Sequence, residues 1–141
     1  MKITVDLNVL LDVAQNRLPY YQASEEVLNR ARLGEYAAVL PGHALTTLHY
    51  IIEKHSATDL ANETVDGLLA DFDVHAVDKA NFQRARQLPL KDFEDAVVAA
   101  VAEATGSQFI VTRNVLDFAG APVPAITPAE FLEELATAEV E

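Results

Sequence analysis

The sequence contains no cysteine. That excludes a disulfide scaffold, a thiolate zinc site and a cysteine nucleophile together, and it suits a reducing compartment. Long apolar runs are missing as well. None approaches the roughly 18 residues that a membrane span requires, and Asp6 interrupts the first apolar segment too early for a secretory signal. A cytoplasmic protein is therefore expected. Positive charge is the third scarcity: 10 Lys and Arg stand against 22 Asp and Glu, a formal net charge of −12. A chain this acidic repels nucleic-acid phosphates at long range.

What is present is enough apolar material, 50% of 141 residues, to bury one core. There is no internal repeat, low-complexity stretch or linker, so residues 1–141 are expected to form one domain. Its last twelve residues, from Glu130, read as an acidic helix and tail with five glutamates and no Lys or Arg. Hydrophobic spacing alternates between two kinds of element. Short apolar runs at 2–6, 36–40, 73–77, 108–112 and 123–126 read as strands. Between them, three-and-four spacing predicts helices at 7–16, 19–33, 43–54, 58–69 and 92–105, with a further one following Asp78 and a last one opened by Pro128. Thr58 or Asp59 is expected to cap the fourth of these, and Phe93 to be buried in the Ala-rich helix. Strands alternating with helices, and apolar without interruption, describe an α/β domain with a buried parallel sheet.

Carboxylates fall at telling places. Ligands of open parallel sheets gather beyond the carboxyl ends of the strands. Asp6 ends the first strand, and Asn114 and Asp117 follow the strand that ends at Thr112. Asp92 and Asp95 open the Ala-rich helix one turn apart, and so share a face. Carboxylates that converge repel one another and need a cation to stay ionised together. Oxygen ligands without thiolates select Mg²⁺ or Mn²⁺. Such an ion polarises a phosphodiester and lowers the pKa of an attacking water, so hydrolysis proceeds without a Ser or Cys nucleophile. Each residue also has a plainer role open to it: Asp6 and Asp92 as helix caps, Asn114 and Asp117 as turn residues.

Three segments, in order, resemble the PIN-domain ribonucleases, and specifically the VapC type of toxin. Ile3-Thr4-Val5-Asp6-Leu7-Asn8-Val9-Leu10-Leu11-Asp12 is similar to that family's first motif. Asp95-Ala96-Val97-Val98-Ala99-Ala100-Val101-Ala102 is similar to its central helix, and Phe109-Ile110-Val111-Thr112-Arg113-Asn114-Val115-Leu116-Asp117-Phe118 to its last motif. The resemblance implies a three-layer sandwich around five parallel strands in the order 3-2-1-4-5. It implies a divalent-metal endoribonuclease, with Asp6, Asp95 and Asp117 as metal ligands and Asn114 and Thr112 supporting them. A homodimer and a small antitoxin partner are implied too. Asp92 is a further candidate ligand, and Arg113 a candidate phosphate contact.

The chain departs from the pattern once. The family's usual Glu on the helix after strand two falls here on Thr46 or Thr47, and Glu53 lies two-thirds of a turn away and about 9 Å along the helix. His43, Asp92 and Glu94 are the nearby groups able to compensate. A catalytically degenerate domain, kept for protein binding or dimerisation, is the alternative reading. The acidity also resolves into parts. The terminal segment and the proposed pocket carry most of it, so RNA is not excluded.

Overall fold

The computed structural model describes residues 1–140; Glu141, the end of the expected acidic tail, lies outside them. β1 (Lys2–Val5) has three buried residues out of four, as befits a strand covered on both faces. It pairs in parallel with β2 (Ala37–Pro41) on one side and with β4 (Phe109–Val111) on the other. β3 (Asp73–His75) extends the β2 edge and β5 (Ala125–Ile126) the β4 edge. All five strands are parallel, in the order β3-β2-β1-β4-β5, as the sequence resemblance implied.

Among the described residues, seven α-helices cover the sheet: α1 (Leu7–Ala14), α2 (Tyr21–Arg32), α3 (Gly42–His55), α4 (Thr58–Asp71), α5 (Lys79–Gln87), α6 (Phe93–Thr105) and α7 (Pro128–Val140). Strand side chains alternate between the two outer layers. Ile3, Val5, Leu40 and Val111 pack with Val9, Val27, Leu48, Ile52 and Phe131, which come from α1, α2, α3 and α7. Val39 and Ile110 point the other way, onto α6. Within α6, Ala96, Ala99, Ala100 and Ala102 are all buried. Their small side chains let the helix axis lie close over β1 and β4, which fixes where its first turn falls.

Local chemistry explains most boundaries. Asp78 caps α5 through a reciprocal pair with Asn81, its carboxylate accepting from the Asn81 backbone and the Asn81 amide oxygen from the Asp78 backbone. Gly106 ends α6 in the left-handed conformation, at φ 72°. Gly42 opens α3 where a Cβ would stand 2.8 Å from the His75 carbonyl, so only glycine lets the helix start against β3.

Two expectations are corrected. Neither Thr58 nor Asp59 caps α4: Ala57 occupies that position without a side-chain bond, and the Thr58 hydroxyl turns back to Glu53 at 3.2 Å. Phe93 is not buried but 46% exposed. At the first position of α6 it lies ahead of the stripe that meets the sheet, and it packs instead near the Phe82 ring on α5, with centroids 6.2 Å apart.

Candidate active site

The connectivity turns around between β1 and β4. β2 and β3 build outward from one side of β1, and the chain then crosses over to lay β4 on the other side. At such a switch point the loops leaving adjacent strands diverge and open a crevice at their carboxyl ends. Asp6 leaves β1 there, and Thr112, Asn114 and Asp117 follow β4. The α1, α3 and α6 N-termini begin around the same crevice, and their positive ends favour anionic side chains.

Asp6 does two jobs. It caps α1 by accepting from the Leu7 backbone at 2.8 Å, and its other oxygen accepts from the Thr112 hydroxyl at 2.8 Å. That hydroxyl in turn accepts from the Asn8 amide at 3.2 Å and the Asn114 backbone at 3.1 Å. Asn8 also donates toward Asp6 at 3.3 Å and accepts from the Arg113 backbone at 3.2 Å. Asn8 and Thr112 therefore stitch the end of β1 to the end of β4 and hold Asp6 in one orientation. Burial raises the Asp6 carboxyl above the usual range, and the charges of Glu94 and Asp117 add to it, while the bonds from Thr112 and Leu7 oppose.

Replacing Thr112 by Val is expected to cost about 1–3 kcal/mol, because it leaves the Asn8 amide and the Asn114 backbone N–H short of an acceptor. Urea denaturation read by circular dichroism measures it; a variant as stable as the wild type would show that the hydroxyl is not a structural hub.

Asp92 caps α6 by accepting from the Asp95 backbone at 2.9 Å. Asp95, half-buried one turn on, is pushed up to about 7: burial is the largest cause, followed by the charges of Asp6, Asp92, Asp117 and Glu94. The residues singled out from sequence thus come together electrostatically. A cleft of about 350 Å³ is lined by Lys91, Asp92, Asp95, Leu116 and Asp117. A second of about 150 Å³ shares Asp95 and adds Asp6, Asn8, His43, Glu94 and Asn114.

Among the described residues, no Lys or Arg forms an ion pair with this group. The five ion pairs among the described residues join Arg30 to Glu35 and Glu139, Arg32 to Asp71, Arg84 to Glu103 and Arg113 to Asp12. The carboxylates surround the crevice rather than closing on one point: among the described residues, no three acidic or His side chains already form a metal cage. The donor set is nonetheless hard, oxygen-rich and short of positive charge, which is the chemistry that suits a divalent cation.

Arg113, expected to reach phosphate, is engaged inside the protein. Its Nε lies 2.9 Å from the buried Asp12 carboxylate, and its guanidinium sits 4.3 Å from the centre of the Tyr20 ring. Arg84 is likewise engaged within the protein, by Glu103 at 2.7 and 3.1 Å. Site residues passed over from the sequence are Asn8, two positions past Asp6, and Asp12, whose burial no local pattern announces.

Comparison with known proteins agrees with this architecture. A family model described as PIN domain matches residues 2–116. No curated protein sequence matches the chain. Among solved structures, VapBC2 from Rickettsia felis, bound to a DNA fragment from its promoter, superposes with a TM-score of 0.72 at 14% identity, covering 90% of this chain and 98% of that one. DNA-bound VapBC from Salmonella typhimurium gives 0.72 at 20% identity, over 91% and 98% of the two chains. VapC20 from Mycobacterium tuberculosis, a toxin that cleaves the sarcin-ricin loop, gives 0.68 at 15% identity, over 84% and 95%. These likenesses are of fold.

Proposed function

The chain belongs to the PIN-domain family, and on that premise we propose that it is a divalent-metal-dependent endoribonuclease, the toxin of a toxin–antitoxin pair. The observation that carries the reading is the cluster of carboxylates at the β1/β4 switch point, which forms no ion pair among the described residues. Asp6, Asp95 and Asp117 would hold Mg²⁺ or Mn²⁺, with Asp92 beside them. When bound, the ion supplies a polarised phosphodiester and a water of lowered pKa.

The chain's own residues do the rest. Thr112 and Asn8 keep the Asp6 carboxylate aimed from the end of β1, so that no reorganisation is needed when substrate arrives. Asn114 lines the same pocket at the start of the β4 loop. Lys91, in the lining of the larger cleft, offers a positive charge to an incoming phosphate. Arg113 would act on this site by fixing the loop between Thr112 and Asn114 rather than by touching phosphate.

An acidic crevice of this kind attracts a basic peptide as readily as a cation. That supports an antitoxin partner, as do the similar folds found in VapBC complexes. Exposed Leu33, just past the end of α2, Tyr50 on α3, and Leu60 and Leu69 on α4 support a homodimer by offering apolar side chains to a partner.

Incubation of the purified protein with single-stranded and structured RNA tests the proposal. Fragments are expected with millimolar Mn²⁺ and none with a chelator. Equal cleavage in both conditions, or none in either, would contradict it.

A further inference from the structure

The family resemblance leaves one carboxylate unaccounted for, since its position on α3 is Thr46 or Thr47. In the structure the Thr47 hydroxyl points across to α6, where it reaches Glu94 Oε1 at 3.4 Å, the long edge of hydrogen-bond range. An acid from α6 thus stands opposite the α3 position that lacks one. Glu94 lines the same pocket as Asp6 and Asp95, and its charge acts on both. It belongs to none of the ion pairs among the described residues.

A second feature of this pocket is an unpaired polar side chain. His43, one turn before Thr47, forms part of its wall, and both ring nitrogens are sealed from solvent without a hydrogen-bond partner. Buried polar atoms left unpaired are costly and uncommon in native proteins. Burial lowers the imidazole pKa against the pull of Glu94.

We propose that Glu94 is the fourth carboxylate of the cation site, delivered from α6 instead of α3, with Thr47 as its positioning residue. The inference rests on the metal-dependent reading of the preceding section. The site takes a hard divalent cation, and the departure from the family pattern is then a relocation of charge and not its loss.

Calorimetric titration with Mn²⁺, on wild type, Glu94→Gln, Asp95→Asn and the double variant Glu94→Gln/Thr47→Glu, tests it. Glu94 is exposed, so Glu94→Gln is expected to melt within about 2 °C of wild type without metal, as surface substitutions do. Its Mn²⁺ affinity is expected to fall by about 10–100-fold. Thr47→Glu, which puts the acid back on α3, is expected to restore most of that loss. Wild-type affinity in Glu94→Gln, alongside weakened binding in Asp95→Asn, would overturn the inference and leave the metal-dependent reading standing. A loss in Glu94→Gln that Thr47→Glu fails to rescue would reduce Glu94 to a distant charge and also overturn it. Absence of Mn²⁺ binding by wild type at millimolar concentration would sink both.

Discussion

Asp95→Asn is expected to make the metal-free protein more stable at pH 8 and at the same time to lower Mn²⁺-dependent RNA cleavage by about 10³-fold. The two effects have one cause. Asp95 is pushed up to about 7, first by burial and then by Asp6, Asp92, Asp117 and Glu94, so its ionised form is a burden on the folded state. Full conversion of that displacement would give about 4 kcal/mol. Because the side chain is half-exposed, solvent screening reduces it to about 1–2 kcal/mol, or about 5 °C in melting temperature for a domain of this size. Asn is nearly isosteric and carries no charge, so it removes the burden. It also removes a ligand to an ion that contributes several kcal/mol to the transition state, and each 1.36 kcal/mol is tenfold in rate. A variant that is both less stable and inactive would point to misfolding; one that keeps full cleavage would remove Asp95 from the site.

Arg113→Ala is expected to destabilise the fold by about 3–5 kcal/mol, the cost of leaving a buried partner charge unpaired. Asp12 is 0% exposed, yet only one of its oxygens is engaged, by Arg113 at 2.9 Å and by Ser24 at 3.3 Å. Burial raises its carboxyl and the Arg113 charge opposes, so without Arg113 the group must either stay charged in an apolar setting or take up a proton. Breaking the pair also frees the Tyr20 ring that the guanidinium covers. Denaturant unfolding separates the alternatives. If Arg113 serves only to bind phosphate, stability is unchanged and RNA affinity falls. If it anchors the loop, stability drops, and Asp12→Leu in the same chain recovers much of the loss, because an apolar replacement removes the stranded carboxylate.

The reading from sequence succeeded where local chemistry and chain order decide the outcome. A strand that ends on Asp6, an Ala-rich helix opened by Asp92 and Asp95, and a strand that leads into Thr112 and Asn114 carry their positions in residue spacing. The parallel order of the strands restricts which ends meet. It faltered where tertiary partners decide. Phe93 has core chemistry but sits at a helix start that overhangs the sheet, so its neighbour is Phe82 and not the interior. Thr58 has capping chemistry, yet Glu53 competes for its hydroxyl. Arg113 looked free because its partner lies 101 positions earlier, in a run, Leu10-Leu11-Asp12-Val13, where an acid reads as the solvent side of a helix. Glu94 was one of several acids in its neighbourhood until Thr47 and His43 appeared across the pocket from it.

The central claim is that these carboxylates are held together against their own repulsion in readiness for a divalent cation. A raised acid means that the native state holds more protons than the unfolded chain, so its contribution to stability declines as pH rises from about 4 to about 7 and stays lost above. A ligand that binds only the folded state offsets the decline, by about 2.7 kcal/mol at one hundred times its dissociation constant. The direct test is thermal denaturation of wild type and Asp95→Asn at pH 5 and pH 8, with and without Mn²⁺. The account predicts that without metal the variant's advantage is small at pH 5 and full at pH 8, and that Mn²⁺ at pH 8 raises the wild type by several degrees but the variant little. Equal melting temperatures at both pH values, with no response of the wild type to Mn²⁺, would contradict it.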